Sequence, residues 1–146
     1  MSLIKIKDVY LPALLIDLIK QGIWQTYTTQ KIRKVAPFLI EPMEFLQSIE
    51  EIKNVSENPI LLQENIFGIQ SSRLLESNIE FPLLDYDKSI YIAINKYPGD
   101  DIGIALDFRK NSTEPCVVAS DFNGHHPHCE WRVISQNLAD FIQNIS

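Results

Sequence analysis

Asp121-Phe-Asn-Gly-His-His-Pro-His-Cys-Glu130 gathers three histidines, one cysteine and two carboxylates into ten residues. Imidazole and thiolate together are zinc ligands. Yet His125, His126, His128 and Cys129 crowd one short loop, whereas structural zinc sites draw ligands from two separated knuckles. Cys116 is the remaining thiol, so no second cluster completes such a site. A polar hairpin loop is the plainer account, and a metal-dependent protein using residues 121–130 is the alternative. Cys129 beside His128 imitates a thiol–imidazole pair, but neighbours along an extended chain point to opposite sides. Asp100 and Asp101 in Gly99-Asp-Asp-Ile-Gly103 offer paired carboxylates, yet Pro98-Gly99-Asp100 reads as turn chemistry in which adjacent side chains diverge. There is no Gly-x-Ser-x-Gly elbow and no Gly-x-Gly-x-x-Gly loop. The expectation is therefore no catalytic residue, no metal and no cofactor.

Charge gives a stronger signal. The chain carries −6 overall, unevenly spread. Residues 1–40 hold Lys5, Lys7, Lys20, Lys31, Arg33 and Lys34 against Asp8 and Asp17, a net of +4, and the remainder carries −10. The densest stretch, 41–87, sets ten acids against Lys53 and Arg73. This balance argues against nucleic-acid binding through a basic surface. A negative field of that size speeds encounter with a basic partner, although a solvated acidic surface serves solubility equally well.

The elements that must position these groups follow from periodicity. Leu11, Leu14, Leu15, Leu18 and Ile19 form one apolar stripe, with Pro12 in the first turn of a helix and Gly22 as its left-handed stop. Thr28 or Thr29 caps a short second helix bearing Ile32 and Val35, which Pro37 ends. Pro42 opens a third, with Phe45, Leu46, Ile49 and Ile52 on its buried side. From about residue 84 the period shifts toward two. Ile90, Ile92 and Ile94 alternate with Tyr91, Ala93 and Asn95, and Ile102, Ile104, Leu106 and Phe108 share a face. Cys116–Ala119 and Trp131–Ile134 add two strands, and tight turns between the runs predict an antiparallel meander. A last helix, capped by Ser135, carries Leu138, Phe141, Ile142 and Ile145. Trp24 is expected to fold back on the first helix. Trp131, opening a strand, is expected in the core but is also the candidate aromatic anchor of an interface.

Length and composition bound the whole. The chain has 146 residues, 45% hydrophobic and 22% charged, which suits one globular domain. Two cysteines exclude a disulfide framework. No run of 18 apolar residues exists, and the alternating start is unlike a secretory signal, so a cytoplasmic protein with no membrane contact is expected. The fold class is α+β: residues 1–146 as one domain, an antiparallel or mixed sheet, with N-terminal helices and a C-terminal helix against one face.

Leu11-Pro-Ala-Leu-Leu-Ile-Asp-Leu-Ile-Lys-Gln-Gly-Ile-Trp24 resembles the opening helix of a bacterial branch of the SUKH superfamily, the Smi/Knr-like proteins. The resemblance continues in order through Phe67-Gly-Ile-Gln-Ser-Ser72, Pro82-Leu-Leu-Asp-Tyr-Asp-Lys88 and Ile90-Tyr-Ile-Ala-Ile-Asn95. It runs on through Gly99–Arg109, Pro115–Asp121, Glu130–Ile134 and the final helix around Phe141. It implies an α+β fold with no catalytic centre. Many bacterial members are immunity proteins that neutralise toxin domains, often nucleases, and fungal relatives are regulators and interaction hubs. The expected partner is a cognate toxin domain, with no direct nucleic-acid contact; a general interaction or scaffold module is the alternative. The resemblance supplies no site residues. Charge places the expected interface at Glu50, Glu51, Glu57, Asp85, Asp87, Asp100 and Asp101, with Trp131 as anchor at one edge.

Overall fold

The computed structural model of the chain describes residues 3–39, 41–97, 102–122 and 129–146. Lys5–Ile6 (β1) and Val9–Tyr10 (β2) form a hairpin in which Ile6 pairs with Val9, so Lys7 and Asp8 make the whole turn. Lys7 adopts φ +54°, the positive value that tight hairpin turns require. Helix α1 (Ala13–Lys20) follows Pro12, its N-cap, and ends ahead of Gly22, φ +71°, as expected. The expected stripe is only partly the buried face: Leu11 and Leu15 are buried and Leu18 and Ile19 half-buried, but Leu14 is exposed and Ile16 is buried in its stead. Helix α2 (Thr29–Ile32) is capped by the Thr28 hydroxyl, which accepts from the Lys31 N–H.

The third helix departs from expectation. Met43–Phe45 is an edge strand, β3, and helix α3 runs over Ile49–Ser56. Phe45, Ile49 and Ile52 do fall at helical spacing. The local signals that prevail are the period-two burial of Met43 and Phe45 around exposed Glu44, and a cap at Ser48. Beyond it come α4 (Glu64–Phe67), β4 (Ile69–Gln70), α5 (Ser72–Leu75) and β5 (Leu84–Asp85), with β4 and β5 pairing in parallel.

Strands β6 (Ser89–Asn95), β7 (Gly103–Asp107), β8 (Cys116–Asp121) and β9 (Glu130–Ser135) complete the main sheet. It is antiparallel, in the order β3-β6-β7-β8-β9. Helix α6 (Leu138–Ile145) closes the chain. Its cap is Asn137, whose side chain accepts from the Asp140 N–H, rather than Ser135, which still belongs to β9 and donates its hydroxyl to the Asn137 carbonyl.

One slip in register organises the core. Tyr91 pairs with Ala105 but Ala93 pairs with Ile104, so β6 carries one extra residue and Tyr91 and Ala93 face opposite sides. Phe45 pairs with Ala93 and meets Trp24, Tyr27 and Phe141 at ring separations of 5.4, 5.4 and 6.4 Å. Trp24 thus packs on β3, with its indole N–H donating to the Leu46 carbonyl at 2.8 Å. On the opposite face Tyr91 meets Trp131 at 5.7 Å. Helices were expected on one face only, but the chain between α4 and β5 covers the second. There the Phe67 carbonyl accepts from the Trp131 indole, the Pro82 carbonyl from the Trp131 backbone, and the Ile79 carbonyl from Arg109. With cover on both sides, β7 is buried along its whole length, as is β6 apart from half-buried Ile94.

Candidate functional site

Helix α3 finishes the sheet edge that β3 begins. Strand β3 pairs with Ala93–Asn95, and where it ends the Ser56 hydroxyl accepts the Tyr91 N–H at 2.9 Å. The Ser48 hydroxyl caps the helix by accepting from the Glu51 N–H at 3.1 Å, and the Glu51 carboxylate accepts from the Gln47 N–H at 2.8 Å. Glu50 and Glu51 are exposed in the first turn, where carboxylates also complement the helix dipole. Glu57, at the C-cap, is half-buried and pairs with Lys53 at 3.1 Å. Glu44 on β3 is exposed as well. Absent from the expected interface, it was legible only as one acid among ten, because reading 42–52 as helix hid its outward position.

Asp85 and Asp87 are not surface groups. They are 2% and 4% exposed, which removes them from the expected acidic face. Asp85 accepts from the Ser72 and Asp87 N–H groups at 3.2 and 3.1 Å. Asp87 accepts from the Ser71 hydroxyl at 2.6 Å and the Arg73 N–H at 3.0 Å. These bonds satisfy carboxylates that would otherwise be costly to bury.

The structure does bring Glu57, Asp85 and Asp87 together, but around Lys7. The Lys7 ammonium nitrogen lies 4.1 Å from the centroid of the Tyr86 ring. The Tyr86 hydroxyl donates to the Glu57 carbonyl at 2.5 Å, the Asp8 N–H donates to the Asp87 carbonyl at 3.2 Å, and Arg73 pairs with Asp8. Burial pulls Lys7 down to about 7, against the attraction of Asp87, Asp85, Glu57 and Asp8. Tyr86 is raised, first by burial and then by Glu57 and Asp87. Nothing local in the sequence marks Lys7 or Tyr86, because their partners arrive from segments dozens of residues away.

Trp131 is 2% exposed, with its indole N–H bonded to the Phe67 carbonyl at 2.8 Å. The core expectation holds and the anchor role falls. Asp100, Asp101, His125, His126 and His128 lie outside the described residues. Cys129 is fully buried, and desolvation pushes its thiol up to about 12. At neutral pH the buried thiol keeps its proton, so it is no activated nucleophile as it stands. Among the described residues, no group of three or more His, Cys, Asp and Glu is placed to hold a metal ion, and no helix is long and apolar enough to cross a membrane. Comparison of the chain with protein-family models, with curated proteins and with solved structures finds no match.

Proposed function

We propose that the protein is a non-catalytic binding domain of the immunity type, which engages a basic toxin domain through the carboxylates along the β3–α3 edge. The observation that carries this reading is the exposure of Glu44, Glu50 and Glu51 on two consecutive elements of one sheet edge. Both elements are fixed by backbone pairing and by the Ser48 and Ser56 hydroxyls, so the carboxylates stand on a rigid support. Such a row raises the encounter rate with a cationic groove of the kind a nuclease presents to phosphate. The ordered SUKH-like segments support the same role. Glu57, Asp85, Asp87 and Trp131 serve the fold in this reading rather than the contact.

The test is to look for a toxin domain encoded beside the gene, to co-produce the chain with it and to measure affinity on the purified pair. The double substitution Glu44→Lys and Glu50→Lys is expected to weaken binding roughly tenfold or more, mainly by slowing association, and to make it less sensitive to salt. The melting temperature should stay within about 2 °C, since exposed charges contribute little to stability. Undiminished affinity moves the interface off this edge.

A further inference from the structure

The cover on the second face of the main sheet stops short of the end of β9. It reaches Trp131 through the Pro82 carbonyl, and two residues further along the strand Val133 is 43% exposed. Val133 pairs with Val118 as Trp131 pairs with Ser120, so by alternation Cys116, Val118 and Val133 share the face that carries Trp131. This uncovered corner, bounded by Phe81, is a cavity of about 380 Å³, the size of a small-ligand site. Phe81, half-buried Cys116 and Val133 supply its apolar lining, and Asn137, the cap of α6, lines it too.

The walls are fixed before anything enters. Asp107 accepts from Arg109 Nε at 3.0 Å and from Nη2 at 2.8 Å, and the Ile79 carbonyl takes a third N–H. The guanidinium so held lies 4.5 Å from the centroid of the Phe81 ring. The loop after β7 is tied by Asn111, whose side-chain oxygen accepts from the Thr113 N–H, the Thr113 hydroxyl and the Glu114 N–H at 3.0, 3.0 and 2.9 Å. That loop carries Lys110 and Glu114, and both line the cavity. They are exposed, and among the described residues neither makes an ion pair, with the other or elsewhere. An uncommitted cation and an uncommitted anion thus stand beside one apolar lining.

We propose that this cavity is a binding site for a free α-amino acid with an apolar side chain, its carboxylate on Lys110, its ammonium on Glu114 and its side chain against Phe81, Cys116 and Val133. Charge complementarity selects the class. A fatty acid would bring a second carboxylate beside Glu114, an alkylamine a second cation beside Lys110, and a residue inside a peptide carries neither charge on its backbone. Opposite charges one carbon apart meet both groups at once, and preformed walls spare the ordering that binding otherwise costs. The site lies on β8 and β9, at the other side of the sheet from β3, so it is independent of the acidic edge and of the partner proposed for it.

The experiment titrates the full chain with L-leucine and follows its amide shifts by NMR. Saturable shifts at Lys110, Cys116 and Val133, with a midpoint at or below about 10 mM, are expected. Three analogues each remove one contact: isocaproate lacks the ammonium, isoamylamine the carboxylate and glycine the side chain. Each should bind roughly tenfold more weakly than L-leucine. Lys110→Ala should weaken L-leucine by a similar factor and leave isoamylamine no weaker, and Glu114→Gln should spare isocaproate instead. Both positions are exposed, so an unchanged melting temperature certifies the fold of each variant. Shifts that never saturate or that map elsewhere, variants that bind L-leucine like the parent, or a singly charged analogue that binds as tightly, overturn the proposal.

Discussion

A methyl group added at Gly103 would stand 2.5 Å from Cε2 of Tyr91, which must itself stay in place to meet Trp131. Gly103→Ala is expected to cost about 1–3 kcal/mol, read as a lower urea midpoint with an unchanged slope. Gly68 is less forgiving. It holds φ +65°, and a Cβ there would come within 2.6 Å of the Cys129 carbonyl oxygen, a backbone atom that cannot swing away. Gly68→Ala should therefore lose more than Gly103→Ala in the same measurement. Titration adds a prediction with a definite sign. Folded Lys7 releases its proton near 7 whereas the unfolded chain keeps it to about 10.5, so between these values the unfolded state binds more protons and stability rises with pH. Cys129 works the other way above 9, because the unfolded thiol ionises there and the native one only near 12. Urea unfolding should show a stability maximum on the alkaline side of neutrality, and Lys7→Met should flatten its rising limb. None of this was legible in the sequence. Whether an aspartate faces water or a serine hydroxyl is decided by residues such as Ser71, sixteen positions from Asp87.

At the scale of elements the sequence was readable wherever a boundary is local. Helix α1 stops at Gly22 and α2 begins at Thr28 because the deciding bonds lie within a turn of each residue. It misled at β3, whose strand conformation comes from pairing with β6, about fifty residues further on. Ser48 and Glu51 together cap α3, and Ser48→Ala should cost about 1 kcal/mol by thermal unfolding. Glu51 thus has a structural duty as well as an outward position. A charge reversal there would mix loss of the cap with loss of binding, which makes Glu50 and Glu44 the cleaner probes. At the other end of the chain Asn137→Ala should weaken α6 by a similar amount, whereas Ser135→Ala should have a smaller effect.

Across the whole molecule, the class α+β and the antiparallel meander were visible in the order of periodicities. The cover on the second sheet face was not, because the chain from α4 to β5 has short elements that carry no long period. Both edges of the main sheet are guarded. Phe45 gives its N–H to the Thr26 hydroxyl and takes the Gln47 side-chain N–H on its carbonyl, and Pro82 occupies the Trp131 N–H. Phe45 ties this edge to Trp24, Tyr27 and Phe141, and Phe45→Ala should remove about 3–5 kcal/mol, measured by chemical denaturation. The single slipped residue in β6 also goes with an indole on each face of the main sheet, Trp24 under the helices and Trp131 under the irregular cover. Fluorescence of Trp24→Phe and Trp131→Phe therefore supplies two independent optical gauges of the same molecule. Coincident melting curves would mark one cooperative unit, and a gap between them would time the parting of one wall from the other.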